Sequence, residues 1–329
     1  MNILVTGGAG YVGSHCLGIL LDAGHHVVVY DNLSKGHRRA VDERAKLIVA
    51  DLADTARLRQ TFAEGGFEAV MHFAALAEVG ESVREPLLYY GNNVTGTVSL
   101  LEAMKEHGVR KLVFSSSCAT YGVPSSVPIT EEMPLNPISP YGRTKLAIEW
   151  VLRDCALAWG LGATALRYFN AAGAAADSRI GEDHDPETHL IPLVLKVALG
   201  QRETIKIFGV DYPTTDGTCV RDYIHVADLA VVHRIALESQ PEAALRCYNV
   251  GTGRGVSVTE VIDACREVTG REIPAIPSPR REGDPPELYA DPTKIMRELG
   301  WKAEYTDIRR TIETAWAWHR RNPGGFGTT

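Results

Sequence analysis

The sequence predicts an α/β fold: a doubly wound parallel sheet followed by a smaller mixed α/β C-terminal domain. The first observation is that short apolar runs alternate with helical stretches through the first half of the chain. Such alternation produces right-handed crossovers and a parallel sheet covered by helices on both faces. The second observation is that polar loops and proline clusters replace the alternation from about residue 173. The length of 329 residues is itself enough for about two domains.

The strands of the predicted sheet are short runs rich in β-branched and other apolar residues. They lie at residues 3–6, 27–30, 47–50, 69–74, 111–116 and 164–169. Helices are predicted at residues 14–23, 92–105 and 146–159, and Gly24 ends the first of them. The first domain is predicted to span residues 1–170 and the second residues 171–329, with parts of 219–251 returning to the first.

Composition and charge exclude several classes of protein. The chain is 45% hydrophobic and 23% charged, as in ordinary globular proteins, and its net charge is −7. Basic residues form no block, so no nucleic-acid partner is predicted. No apolar run reaches the roughly 18 residues of a membrane span, and Met1 and Asn2 lead straight into a strand, so neither a membrane partner nor a secretory leader is predicted. Six scattered cysteines without a C-x-x-C pair predict reduced thiols and a cytoplasmic protein.

A glycine-rich turn joins the first predicted strand to the first predicted helix. Gly7, Gly10 and Gly13 recur at spacings of three residues. Glycines in this context permit a tight turn and let the backbone approach a pyrophosphate, which the helix N-terminus then faces. The pattern alone is weak, because a glycine-rich turn is also found for purely structural reasons.

Acidic residues follow the second and third predicted strands. Asp31 lies 18 residues after Gly13, where a carboxylate accepts a hydrogen bond from a ribose 2′-hydroxyl and repels a 2′-phosphate. This favours NAD over NADP as the cofactor. The alternative is that Asp31 caps the turn at Asn32. Asp51 and Leu52 could border the adenine, although a lone aspartate there is more often a cap.

Tyr141 and Lys145 form a Y-x-x-x-K pair on a predicted helix that Pro140 would begin. Residues four apart share one helix face, so the phenol and the ammonium can lie side by side. A nearby cation, helped by a positive nicotinamide ring, would lower the tyrosine pKa and make the phenol a usable base. Ser117 ends a strand about 25 residues earlier and could share a substrate proton with Tyr141. The alternatives are a surface tyrosine beside a solvated lysine and, for Ser115 and Ser116 especially, a polar strand end.

Taken with the blocks around them, these residues closely resemble the extended short-chain dehydrogenase/reductase family and, within it, the enzymes that invert carbon 4 of UDP-hexoses. The resemblance covers nearly the whole chain. It is carried by residues 72–75, 79–82, 89–93, 115–122, 140–145, 167–170, 215–226 and 280–284.

The resemblance implies reversible epimerisation at carbon 4 of a UDP-hexose, UDP-galactose or UDP-glucose, through a 4-keto sugar and tightly bound NAD. It implies three catalytic residues: Tyr141 as the base, Ser117 as its hydrogen-bonding partner and Lys145 as the group that holds the ribose. The implied cofactor-binding residues are Gly7, Gly10, Tyr11, Val12, Gly13, Asp31, Asn32, Asp51, Leu52, Phe73, Ala74, Ala75, Asn92, Ser115, Tyr141, Lys145 and Tyr168. The implied substrate-binding residues are Ser117, Tyr141, Phe169, Asn170, His189, Leu190, Phe208, Arg221, Arg281, Asp284 and Leu288. A homodimer is also implied, paired through the helices at residues 92–105 and 146–157.

Some positions depart from the family pattern and leave alternatives open. Ala77 replaces a lysine of some members, and His189 an asparagine. Leu288 is intermediate between the tyrosine of strict hexose enzymes and the smaller residues of those that accept N-acetylhexosamines. A UDP-N-acetylhexosamine or UDP-xylose/UDP-arabinose 4-epimerase therefore remains open, as does a dehydrogenase that releases reduced NAD. Cys118-Ala119 replace the acid/base pair of a 4,6-dehydratase, which argues against that reaction.

Two further interpretations are weaker. A non-catalytic NAD-sensing protein could use the same fold, but the presence of Tyr141, Lys145 and Ser117 argues against it. His184 and His189 lie in a loop beside two aspartates, and we expect solvated histidines there rather than a metal site, because the spacing fits no standard metal motif.

Overall fold

The computed structural model describes residues 1–281 and 283–327; Glu282, which belongs to one of the resembling blocks, lies outside them. The strands are β1 Asn2–Thr6, β2 His26–Asp31, β3 Lys46–Val49, β4 Ala69–His72, β5 Lys111–Ser117, β6 Gly162–Tyr168, β7 Asn170–Ala172, β8 Ile205–Phe208, β9 Val220–Arg221, β10 Tyr223–His225, β11 Leu245–Val250, β12 Val256–Ser257, β13 Ala275–Ser278 and β14 Glu287–Leu288. The helices are α1 Tyr11–Asp22, α2 Thr55–Gly65, α3 Val79–Arg84, α4 Pro86–Tyr89, α5 Gly96–Glu106, α6 Pro140–Trp159, α7 Leu190–Ala198, α8 Val226–Glu238, α9 Val258–Thr269, α10 Thr293–Leu299 and α11 Ile308–Arg321.

Seven parallel strands form the main sheet in the order β11-β6-β5-β4-β1-β2-β3. The strand order reverses between β1 and β4. In doubly wound sheets ligands bind in the crevice outside the carboxyl ends of the strands at such a point. The predicted fold class is confirmed.

Apolar layers cover both faces of the main sheet, because neighbouring residues of a strand point to opposite faces. On one face Ile3 and Val5 pack with α1 and α8. On the other, Leu4 packs in a layer that includes Phe62 of α2 and Met104 of α5. The sheet is therefore a rigid support for the loops at its carboxyl edge.

Two predicted boundaries differ from the structure for local reasons. The strand predicted to reach Ala74 ends at His72, because Phe73 and Ala74 both donate their N–H to the carbonyl of Thr6 and leave the ladder. The helix predicted from Asn92 is regular only from Gly96, since Tyr90–Thr95 forms a wider π-helical turn. Such turns are frequent at functional sites.

The segments after residue 170 form small sheets around a third core. β10 pairs with β7, β13 with β8, and β9 with both β12 and β14. Their core includes residues of α7, α9 and α11. β11 instead joins the main sheet beside β6. The division into domains at residues 170 and 171 stays a prediction. Within the described ranges, no helix combines the length and apolarity needed to cross a membrane.

Candidate active site

At Gly7 and Gly13 the glycine turn and the start of α1 are packed too closely for a side chain. Gly7 has a φ of +71°, and a Cβ there would lie 2.4 Å from the backbone nitrogen of Ala74. A Cβ on Gly13 would lie 2.3 Å from the carbonyl oxygen of Gly7. Gly10 precedes α1 and provides no side-chain cap, so the first N–H groups of the helix stay available to an anion. This cradle fits the pyrophosphate of a dinucleotide.

The first two residues of α1, Tyr11 and Val12, follow the cradle directly. The Tyr11 hydroxyl donates to the carbonyl of Gly173 at 2.6 Å. The tyrosine therefore ties the glycine turn to the loop that leaves β7.

We expect Gly13→Ala to weaken NAD binding by about tenfold or more, equivalent to about 1.4 kcal/mol, because the new methyl group would push the turn away from the helix. NAD content after purification and titration calorimetry measure the loss. Gly18→Ala is the matched control, since nothing lies within 4 Å of a Cβ at that position of the same helix. Equal NAD binding by the two variants would contradict the role of the cradle.

Asp31, Asn32 and Asp51 meet at the carboxyl ends of β2 and β3. The two Asp31 oxygens accept the N–H groups of Ala9, at 2.9 Å, and Leu33, at 2.8 Å. The Asn32 amide donates to an Asp51 oxygen at 2.6 Å. Burial raises the pKa of Asp31, while its two backbone hydrogen bonds act against that rise. Asp31 thus does cap its turn, and its remaining lone pairs are placed to accept ribose hydroxyls.

Asn93, which was not predicted to be a site residue, hydrogen-bonds the segment that follows β4. Buried Asn93 accepts the N–H of Leu76 at 2.8 Å and donates to its carbonyl at 3.0 Å. It also donates to Thr144 of α6 at 3.1 Å and accepts from the Asn92 amide at 2.9 Å. Asn93 therefore positions the segment that contains Ala74 and Ala75. Leu52, after β3, packs near Gly96, where a Cβ would lie 3.4 Å from the leucine.

The predicted catalytic residues come together at the carboxyl end of β5. The Lys145 ammonium donates to the carbonyl of Ser115 at 2.7 Å and lies 5.8 Å from the centre of the Tyr141 ring. The Ser115 and Tyr168 hydroxyls lie 2.5 Å apart. Ser117 follows on the same strand, and its hydroxyl accepts the N–H of Ala119 at 3.1 Å. Lys145 is 3% exposed, so this is not a surface tyrosine beside a solvated lysine.

Burial dominates the electrostatics of Tyr141 and Lys145 in the chain without its cofactor. It raises the pKa of Tyr141 to about 12, although a hydrogen bond with Ser117 partly opposes the rise. Burial also lowers the pKa of Lys145 to about 7, against the pull of Glu149. A lowered Tyr141 pKa with the nicotinamide ring in place stays a prediction, since a nearby positive charge favours the phenolate.

A second group of predicted residues surrounds Arg221 in β9. Its guanidinium forms an ion pair with Asp284 and donates to the carbonyl of Val220 at 2.7 Å. Leu288 pairs with Arg221 across β14 and β9. Burial raises the pKa of the Cys118 thiol, and the positive charge of Arg221 opposes this rise. Cys118 directly follows Ser117. This group therefore lies near the serine.

Two more predicted residues form an aromatic–cation pair. The Arg281 guanidinium lies 4.2 Å from the centre of the Phe208 ring. The ring covers one face of the exposed guanidinium, and such stacking leaves the N–H donors at the guanidinium edge free to bind an anion.

The remaining predicted substrate residues lie around β7 and the start of α7. Phe169 separates β6 from β7, and the Asn170 amide donates to the carbonyl of Asp222 at 3.2 Å. His189 is the N-cap residue of α7 and directly precedes Leu190, but its side chain makes no capping hydrogen bond. Its Nδ1 lies 2.9 Å from oxygens of both Glu182 and Glu187, two partners that were not predicted. Among the described residues, no hydrogen bond joins His189 to the group around Tyr141.

A buried polar network that joins β5, α6 and β6 was not predicted either. Glu149 of α6 accepts from the Ser116 hydroxyl at 2.6 Å and from Arg167 Nε at 2.9 Å. Arg167 continues to the Tyr121 hydroxyl at 2.8 Å, which donates to Asn249 of β11 at 2.7 Å. The available signal was Glu149 itself, one turn after Lys145 on the same helix face.

Comparisons with known proteins agree with this arrangement. Residues 3–251 match the model of the NAD dependent epimerase/dehydratase family. A UDP-glucose 4-epimerase of Halalkalibacterium halodurans is 52% identical over 329 residues, covering 100% of this chain and 98% of its own. The crystal structure of UDP-glucose 4-epimerase from Brucella ovis in complex with NAD has a TM-score of 0.92 and 49% identity, covering 96% of this chain and 97% of that one.

The structure of the Bifidobacterium longum enzyme of the same name, in complex with NAD⁺ and UDP, has a TM-score of 0.95 and 42% identity. The match covers 99% of this chain and 100% of that one. Sequence and fold therefore agree over essentially the full length. The chain belongs to the NAD-dependent epimerase/dehydratase family.

Proposed function

We propose that this chain interconverts UDP-galactose and UDP-glucose by epimerisation at carbon 4, with NAD as a retained cofactor. The observation that carries the proposal is the cluster of Ser117, Tyr141 and Lys145 at the carboxyl end of β5, beside the glycine cradle. The relatives named UDP-glucose 4-epimerase, and the neighbours bound to NAD and UDP, support the same chemistry.

Each catalytic side chain has a defined task in this proposal. Tyr141 Oη accepts the proton of the sugar 4-hydroxyl and later returns it. Ser117 Oγ hydrogen-bonds the same sugar oxygen while it changes between alcohol and ketone. When bound, NAD supplies a reversible hydride acceptor for carbon 4, and its positive ring adds the charge that the Tyr141 pKa requires. The 4-keto sugar would rotate about its bond to the diphosphate before it is reduced. Carbon 4 would then be reduced on its opposite face, and no net oxidation of the sugar would result.

The residues around β9 would hold the UDP part of the substrate. Arginine donors match phosphate oxygens in a forked geometry and keep their charge at all working pH values. Arg221 is already oriented by Asp284, and Arg281 by stacking on Phe208. A diphosphate would meet two guanidinium groups whose positions are set before it arrives.

Product analysis tests the proposal directly. The purified chain is incubated without added NAD, separately with UDP-galactose, UDP-N-acetylgalactosamine and UDP-xylose, and the products are separated by chromatography. We expect conversion of UDP-galactose to UDP-glucose to be fastest. Faster turnover of either other sugar would reassign the substrate. No conversion, even with NAD supplied, would favour the non-catalytic alternative, and NADH release in proportion to product would favour a dehydrogenase.

Leu288 lies beside Arg221 and is proposed to limit the size of the sugar. We expect Leu288→Tyr to suppress turnover of the N-acetylhexosamine by about tenfold or more while UDP-galactose turnover changes little, because the larger ring narrows the space for an acetamido group. The ratio of kcat/KM for the two sugars measures this. Leu288→Met, close in volume, is the control. An equal loss on both sugars would contradict the pocket role.

We also propose that the chain forms a homodimer through the helices at residues 92–105 and 146–157. Large apolar side chains on these helices are exposed: Val98 at 37%, Trp150 at 55% and Leu157 at 82%. Exposed apolar side chains of this size on two helices suit a subunit interface. Light scattering should give twice the chain mass of 35.8 kDa, and a monomer at all concentrations would refute the dimer.

A cytoplasmic location is part of the same proposal. Its support is that all six cysteines are free thiols, three of them buried. Structural disulfides are common in oxidising compartments and rare in the cytosol. Fractionation of the native host would test this.

A further inference from the structure

The loop between β7 and α7 brings four potential metal ligands together. Glu182, His184, Glu187 and His189 each offer one donor atom, and all four atoms lie within 4.8 Å of one another. Both histidines are paired with glutamates, and 47% of the His189 side chain is exposed while His184 is more buried. Neither neighbouring aspartate is among the four donors. Asp183 instead accepts the N–H of Phe326 at 2.7 Å.

The distances between donor atoms suit a tetrahedral ion. His184 Nδ1 lies 3.3 Å from Glu182 Oε1 and 3.8 Å from Glu187 Oε2. His189 Nδ1 lies 2.9 Å from Glu182 Oε1 and from Glu187 Oε1. A zinc ion with bonds of about 2.0–2.2 Å holds its ligand atoms roughly 3.3–3.6 Å apart. The donor atoms lie within 4.8 Å of one another, so small side-chain rotations would bring all four to that spacing. Both histidines present the same ring nitrogen to the carboxylates.

The donor nitrogen of His184 lacks a well-formed hydrogen bond. Its Nδ1 is buried and unsatisfied, although two carboxylates stand close to it. His189 Nδ1, in contrast, lies 2.9 Å from Glu187 Oε1, within hydrogen-bond distance. A cation at the centre of the four residues would give the His184 nitrogen a partner.

The glutamates add a charge argument. The Glu182 and Glu187 side chains are 5% and 3% exposed. Two neighbouring carboxylates removed from water need compensating positive charge. A divalent cation supplies it at one point and leaves both histidines neutral, which is the form that binds metals.

We propose that Glu182, His184, Glu187 and His189 form a structural zinc site. Two imidazoles and two carboxylates are a donor set that zinc accepts, and four protein ligands leave no open position for catalysis. The His184 ring packs edge-on against Tyr11, with ring centres 6.1 Å apart. The ion would therefore fix the loop to the glycine turn on one side and, through His189, to the start of α7 on the other.

Metal analysis of the full chain, purified without a histidine tag or added metal, tests the site. We expect about one zinc ion per chain by mass spectrometry, loss of that zinc to a strong chelator, and a lower Tm after its removal. Replacement by Co²⁺ should give the intense visible absorption of a tetrahedral cobalt centre. These readouts do not depend on turnover, so the zinc site and the proposed reaction succeed or fail separately.

Variants locate the ion. His184→Ala and Glu187→Gln should each lose most of the zinc and the cobalt spectrum. His26→Ala is the control, since His26 is exposed at the start of β2, and it should retain both. If a cluster variant fails to fold, the cobalt spectrum of the unmodified chain still decides. No stoichiometric zinc together with no tetrahedral cobalt spectrum would overturn the proposal and leave a histidine–glutamate ion-pair network.

Discussion

Tyr141→Phe is expected to lose turnover by about 10²–10⁴-fold while its affinity for UDP-galactose stays nearly unchanged. The substitution removes one oxygen, the atom proposed to accept the sugar proton. The packing of the ring against Lys145 remains, so the site keeps its shape. Steady-state kinetics give the loss in kcat, and calorimetry with UDP-galactose gives the affinity.

Tyr90→Phe is the matched control for this result, because Tyr90 is 39% exposed and lies outside the proposed proton path. Turnover by Tyr141→Phe equal to that of the control would refute the assignment of the base. A loss that appears only in KM would instead place Tyr141 in substrate binding.

Glu149→Gln is expected to destabilise the fold by about 3–5 kcal/mol, because it leaves Arg167 charged and buried without a full partner. The Glu149 and Arg167 side chains are 1% and 3% exposed. The carboxylate also accepts from Ser116, the neighbour of Ser117, for which we propose a catalytic role, so the loss extends to β5. Urea unfolding measures the free energy.

Two comparisons make this second prediction specific. Glu267→Gln breaks an exposed pair with Arg309 and should cost no more than about 1 kcal/mol. The double variant Glu149→Leu with Arg167→Met should recover much of the lost stability, since neither of the two positions then buries a charge. A Glu149→Gln cost equal to that of the surface control would contradict the argument.

Glu149 also affects Lys145 one turn earlier on α6. Burial lowers the pKa of Lys145 to about 7, and the negative charge of Glu149 keeps that fall from being larger. Removing that charge lowers the lysine pKa further, so a larger fraction of Lys145 is neutral at pH 7. Any activity left in Glu149→Gln should therefore fall off at a lower pH than in the unmodified chain.

The sequence was informative where function depends on local backbone patterns. The strand–glycine–helix turn, the acidic residue after β2 and the Y-x-x-x-K spacing each lie within one element or turn. These patterns and the strand–helix alternation predicted the fold class and NAD as the cofactor, and the resemblance along nearly the whole chain predicted the family. The comparisons confirm all three. The residue roles remain predictions that the variants above test.

The features of the site that the sequence did not predict depend on contacts between residues that are distant in the chain. Glu149 and Arg167 meet only because α6 packs on the main sheet, and their burial has no sequence signature. The Y-x-x-x-K spacing reveals a lysine near Tyr141 but not the loss of water around both groups. Nothing in the spacing of the histidines of the β7–α7 loop shows which carboxylates fold back onto them.

The position of β11 has a consequence for biosynthesis. This strand completes the main sheet beside β6, yet it follows β6 by more than 70 residues in the chain. A ribosome adding about 5–20 residues per second needs roughly 4–15 s to cover that interval. Until then the backbone N–H and C=O groups along that edge of β6 have no strand partner, and such edges promote aggregation. The nascent chain thus passes through an interval in which a chaperone that covers the open edge would raise the yield of folded protein.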